Sequence, residues 1–285
     1  MGNRRFYAAI GLLWAAMAGP VAQARELILL TGFEPFGGSA RNLSWEIAEK
    51  LAADPTLVGQ DLEIRVCKLP VIYDQAADVA LRCLDELPHA PLFMVSLGEA
   101  ECQIQLETAA SNLDNHNMPD NAGEVRRAHR IIPNAEARIG FRFPVQAMFC
   151  KIPPATGHIL GSISPGYYVC NNTAFHLAHR LRDRGLPFTF IHVPNSKCAP
   201  SASDLATNTS QLAQMLGAAR DFVHTSVDAK YPFPHPANAR RLPGTPRELK
   251  DLTAEAAPLG LPACHGRFLQ RLDDLYRFDP PQTDL

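Results

Sequence analysis

The chain has 285 residues, 46% hydrophobic and 20% charged, with 27 basic against 29 acidic side chains and a formal net charge of −2. That composition excludes a disordered polymer and supplies enough apolar material for an ordinary core in one domain or two. The only basic clusters are short ones, "EVRRAHR" and "ANARR", so no footprint for nucleic acid is present and a small, nearly neutral partner is expected.

The first segment reads "MGNRRFYAAIGLLWAAMAGPVAQA". Arg4 and Arg5 precede an apolar stretch, and Ala22-Gln23-Ala24 has the small-x-small form of a cleavage site, so residues 1–24 are expected to be a secretory signal peptide. The uninterrupted apolar run from Phe6 to Ala18 falls short of the roughly 18 to 20 residues of a membrane span, and stable membrane insertion is not expected. The expected location is exported, periplasmic or secreted, where thiols oxidise. Seven cysteines follow: Cys67, Cys83, Cys102, Cys150, Cys170, Cys198 and Cys264. An odd count leaves at least one without an intramolecular partner.

From Glu26 to about Thr225, strand-like runs alternate with helical patterns. "LILLTGF" reads as a buried strand; "SWEIAEKLAA" places Trp45, Ala48 and Leu51 at helical spacing behind Ser44 as cap; "PLFMVSLG" is a second strand run ending in Gly98. "AFHLAHRL" is helical, with Ala174, Leu177, Ala178 and Leu181 on one stripe, and "PFTFIHVP" is a short strand stopped by Pro194. The alternation argues for an α/β fold with a largely parallel sheet over residues 25–225. Residues 226–285 hold 9 of the 24 prolines and are expected to form an extension packed on the core, not a second catalytic domain.

Cys170 lies between "GYYV" and a helix, where the backbone dipole favours a thiolate. The next strand ends in His192, and strand ends and helix starts share one edge of a parallel sheet, so both residues would face one crevice. A buried structural thiol and a hydrogen-bonded strand-end histidine are the plainer alternatives, and position alone leaves both readings open. His176 and His179 lie three apart on the helix but lack nearby ligands at metal spacing, so a solvated face is expected and no metal or cofactor. "TGFEPFGG" has no Gly-Lys-Ser/Thr after it and is not a phosphate loop.

"LLTGFEPFGG", "NLSWEIAEKL", "KLPVIYDQAADV", "VSLGEAECQIQLETAASNLDN", "MPDNAG", "SPGYYVCN" and "FIHVP" occur in the order and rough spacing of the pyroglutamyl peptidase I (pyrrolidone-carboxylate peptidase) family, which the chain resembles over about residues 27 to 195. The resemblance implies a three-layer α/β/α sandwich with a mainly parallel twisted sheet, and a cysteine exopeptidase acting on peptides with an N-terminal pyroglutamate. It also leaves room for a homo-oligomer. Carried over by motif, Cys170 matches the nucleophile, His192 the base and Glu107 the acid; Phe33, Phe36, Tyr168 and Val169 match the pocket for an uncharged lactam. Glu107 on its own would read as a solvated strand end. The chain departs from the family where Asn117 stands in place of an arginine before "PDN", which bears on rate and specificity. It also departs in carrying a signal segment and a Pro-rich tail. A related cysteine amidase of altered specificity, or a non-catalytic binding protein on the same fold, are the alternatives. If Cys170 is the nucleophile, the other six cysteines are free to pair, and a bridge from Cys264, with Cys198 as one partner, would pin the tail.

Overall fold

A computed structural model describes residues 25–225 apart from 55, 60, 144, 146–158 and 163. The expected signal peptide (residues 1–24), the Pro-rich segment 226–285, Cys150 and Cys264 lie outside the described residues. In chain order the elements are β1 (Glu26–Phe33), α1 (Leu43–Ala53), β2 (Leu62–Leu69), α2 (Gln75–Asp85), β3 (Phe93–Ala100), β4 (Ile104–Glu107), β5 (Ala109–Ser111), β6 (Arg138–Gly140), β7 (Ile159–Ser162), α3 (Val169–Arg182), β8 (Phe188–Pro194) and α4 (Ala202–Thr225).

The main sheet has the order β2-β1-β3-β8-β4-β7. β2, β1, β3 and β8 run parallel, while β4 is antiparallel to β8 and parallel to β7. The sheet is therefore mainly parallel, with one edge reversed. Strand side chains alternate between faces, and both faces are apolar. Ile28, Leu30, Val95, Leu97, Ile191 and Val193 point into a core that includes Ile47 and Leu51 of α1 and Leu212 and Met215 of α4. Leu29, Phe33, Met94, Phe188 and Phe190 point the other way, against Ala77 and Leu81 of α2 and Ala174, Phe175 and Leu177 of α3. Helices on both faces of a sheet with two buried sides make the three-layer sandwich.

Two local expectations are corrected. Helix α1 is capped by Asn42, not Ser44: the Asn42 side chain accepts from the Ser44 N–H at 3.1 Å. Ser44 is buried inside the helix, where its hydroxyl accepts from the Phe33 N–H at 2.9 Å and is thus committed to joining α1 to β1. Strand β3 continues past Gly98 to Ala100, because Gly98 and Ala100 pair in register with His192 and Pro194 of β8.

The β1–α1 connection leaves no room for a side chain at Gly32, where a Cβ would stand 2.6 Å from the Ser44 carbonyl oxygen. Backbone cannot swing aside as a side chain would. Gly32→Ala is expected to cost about 1 to 3 kcal/mol of stability by overpacking, read as a lower midpoint in urea unfolding.

Candidate active site

The reversal of β4 is what assembles the site. Gln105 lies directly opposite His192 in the antiparallel pair, and Glu107, two residues on, is the diagonal neighbour on the same face. Glu107 Oε1 is 2.8 Å from His192 Nδ1, with both side chains buried. A carboxylate with no access to water requires a donor, so Nδ1 carries a proton and Nε2 is left for the thiol. Far from being a solvated strand end, Glu107 is fully enclosed, and its Oε2 has no hydrogen-bond partner among the described residues.

Cys170 is the second residue of α3, which covers this face. It is half-buried, and among the described cysteines it is the free one. Its sulfur rests against the sheet at Gly98, which pairs with His192. A Cβ on Gly98 would stand 2.9 Å from Sγ and 2.8 Å from the Phe190 ring. Burial alone would push the His192 imidazole down; hydrogen bonds to Cys170 and Glu107, reinforced by their charges, overcome it and bring it up to about 10. The arrangement favours an imidazolium held between the Cys170 sulfur and the Glu107 carboxyl group.

The two residues after the nucleophile fix the start of α3. Asn171 is buried; it accepts from the Ser111 N–H at 2.9 Å and donates to the carbonyls of Ser111 and Leu113. Asn172 accepts from the Asp74 N–H and donates to the carboxylates of Asp74 and Asp114. Asp74 sits at positive φ (61°) before α2, a costly backbone state for a residue with a side chain. Its carboxylate is held there by Arg126, Asn172 and His176 Nε2. These bonds, the one to His176 foremost, keep its pKa well below the usual carboxylate range. Burial pushes the enclosed Asp114 up to about 6 in spite of its bonds to Asn172 and Arg126. His176 is therefore a buried strut on Asp74, not part of a solvated face. Among the described residues no group of His, Cys, Asp and Glu side chains could hold a metal ion.

A cleft of about 500 Å³ opens over the sulfur, lined by Phe33, Phe36, Tyr168, Val169, Cys170 and His192. All of these were expected there. Asn117 is not: it is exposed, and its neighbours His116 and Met118 line the cleft instead. Glu99 also enters the cleft, accepting from the Leu43 N–H; burial raises its pKa above the usual carboxylate value, and the backbone donor only partly offsets this. Sequence reasoning passed over Gly98, Glu99, His116 and Asn172. Only the glycine carried a local signal, as a small residue inside a run of strand formers.

Residues 26–217 match the pyroglutamyl peptidase family. The chain belongs to that family. It is 31% identical over 207 residues to the pyrrolidone-carboxylate peptidase of Pseudomonas fluorescens, covering 72% of this chain and 96% of the relative. Among solved structures it superposes on the pyrrolidone carboxyl peptidase of Thermococcus litoralis with a TM-score of 0.62 and 25% identity, over 70% of this chain and 96% of the other. It also superposes on pyroglutamyl peptidase I of Bacillus amyloliquefaciens with a TM-score of 0.62 and 24% identity, over 69% and 98%. The pyroglutamyl peptidase α/β fold expected from the motifs is the one observed, and the chain is a cysteine-type peptidase.

The described cysteines other than Cys170 can also be placed. The sulfurs of Cys67 and Cys83 lie at bonding distance, as do those of Cys102 and Cys198, with Cα separations of 6.2 and 5.1 Å. The Cys198 sulfur thus faces Cys102, while Cys264 lies outside the described residues. No described helix is long and apolar enough to cross a membrane.

His192 supplies a pH prediction. Its folded value, about 10, lies above the ordinary 6.5, so its contribution to stability is complete below about pH 6.5 and is lost as the pH rises through about 10. Unfolding stability should fall over that window, and in Cys170→Ala, which removes the largest raising influence, the His192 titration followed by NMR should move to lower pH. An unmoved titration would separate the two side chains.

Proposed function

We propose that the chain is an exported cysteine exopeptidase that removes N-terminal pyroglutamyl residues from peptides. The observation that carries the reaction is the buried Glu107–His192 pair beside the free Cys170. The Cys170 thiolate attacks the carbonyl carbon of the pyroglutamyl amide, forming a C–S bond. The first-turn N–H groups of α3 have no intrahelical partner and are available to the developing oxyanion. The C–N bond breaks as His192 Nε2 gives its proton to the leaving amine. The imidazole then takes a proton from water, whose oxygen attacks the thioester, and the C–S bond breaks to restore the thiolate. Glu107 fixes the ring through Nδ1 and stabilises its positive form.

The aromatic wall of the cleft suits a flat, uncharged lactam. Hydrolysis of a fluorogenic pyroglutamyl amide, with alanyl and prolyl amides beside it, tests this: release from the pyroglutamyl amide alone supports the reading, and release from another amide or from none overturns it. Cys170→Ala and His192→Ala are expected to lose activity by factors on the order of 10⁶, and Glu107→Gln by on the order of 10⁴, leaving measurable turnover. The alkaline limb of the pH profile should reflect loss of the His192 proton.

Export is supported by the charged start, short apolar run and Ala22-Gln23-Ala24 site, and by two sulfur pairs that leave Cys170 out. We take these pairs as disulfides. Labelling the native, unreduced protein with a thiol reagent should modify Cys170 and inactivate the enzyme, while Cys67, Cys83, Cys102 and Cys198 stay unlabelled. Labelling of those four, or retention of residues 1–24 on a cytoplasmic product, contradicts export to an oxidising space.

A further inference from the structure

His116 is a polar group of the cleft that neither the acyl-transfer steps nor the packing of the fold uses up. Its backbone is pinned by its own N–H to the Arg126 carbonyl at 2.8 Å. Its ring lies against Tyr168 with centroids 4.8 Å apart. Tyr168 is itself immobilised, its hydroxyl donating to the Pro119 carbonyl at 2.8 Å and its ring meeting the edge of Tyr73 at 5.6 Å. The decisive contact is the Met118 N–H, 3.1 Å from His116 Nδ1. A backbone N–H can only donate, so Nδ1 is an acceptor and the ring proton sits on Nε2. That N–H has no protein acceptor among the described residues, and the ring lines the same cleft as Cys170 and His192.

We infer that His116 determines specificity by donating its Nε2–H to the ring carbonyl of the pyroglutamyl group, an inference that rests on the substrate proposed above. The lactam offers two polar atoms besides the scissile carbonyl. Its ring N–H is a donor and cannot meet another donor, and the scissile oxygen is served by the start of α3, so the ring carbonyl remains. Proline, the nearest ring analogue, lacks that oxygen and would leave Nε2–H unpaired when bound, a penalty of the kind that gives polar recognition its selectivity. The residue thus contributes a hydrogen bond without a charge.

The bond is present in ground and transition states alike, so its loss should appear in KM. His116→Phe keeps the ring against Tyr168 and removes the donor; KM for a pyroglutamyl amide should rise about tenfold with kcat within about twofold. His116→Gln, which regains an N–H donor but not the aromatic ring, should recover most of the loss. The bare lactam 2-pyrrolidone, titrated by calorimetry and so independent of turnover, should bind the Phe variant about tenfold more weakly than the wild type. Unchanged KM and unchanged 2-pyrrolidone affinity in the Phe variant overturn the inference. So does a Gln variant that loses kcat and thermal midpoint together, which would mark His116 as packing. Failure of the wild type to cleave the pyroglutamyl amide would instead overturn the proposed reaction, and the 2-pyrrolidone comparison would still decide the role of His116.

Discussion

A carboxylate sealed from water must find its positive charge inside the protein, and Glu107 finds it in the His192 imidazole. Removing a carboxylate from water costs several kcal/mol even after relaxation, and with Oε2 unpartnered the single bond to Nδ1 and the proton it carries are the main compensation. That requirement reaches into the topology. A parallel strand beside β8 would offer slanted, evenly spaced pairing; the antiparallel β4 puts Glu107 diagonally across from His192 on the face that α3 covers. The reversed edge of an otherwise parallel sheet therefore serves the catalytic pair, and the α3 start then needs only to deliver a thiol to the free Nε2.

Delivery depends on two neighbouring devices. Gly98 removes the one side chain that would stand where the sulfur rests, so β3 contributes by absence. Asn171 and Asn172 then tie the first turn of α3 to Ser111, Leu113, Asp74 and Asp114. No side-chain cap supports this helix at Tyr168, so the two amides take over the task that a capping residue performs elsewhere. The strained Asp74 is tolerated because four contacts from Arg126, Asn172 and His176 over-determine it.

Much of this was legible in the sequence, for physical reasons that differ by element. The strands β1, β3 and β8 are buried on both faces and so read as continuous apolar runs, and α3 showed its stripe; the crevice shared by Cys170 and His192 followed from the geometry of parallel strand–helix–strand units. Glu107 was legible only through its motif, because "CQIQLE" alternates like a half-solvated strand and nothing local reveals that both its faces are covered. The start of α1 was misjudged by two residues because Ser44 and Asn42 are both good caps, and only the long-range demand of the Phe33 N–H assigns Ser44 elsewhere. At Asn117, motif spacing gives the loop, but it is the neighbours His116 and Met118 that line the cleft.

The fate of the thiols follows from where the fold puts them. Cys67 and Cys83 meet because β2 and α2 are packed together, and Cys102 and Cys198 meet because the turns after β3 and β8 leave the same sheet edge. Asn195 already joins those turns by bonds to the Ala100 and Glu101 carbonyls, so a bridge there would add to an existing contact. Cys170 faces Gly98, Phe190 and His192, none of which can bond to sulfur, and a disulfide would need a partner Cβ within about 4 Å of its own. Among the described residues its partner is the imidazole and no second thiol. Within the described residues the fold therefore offers the nucleophile no intramolecular disulfide.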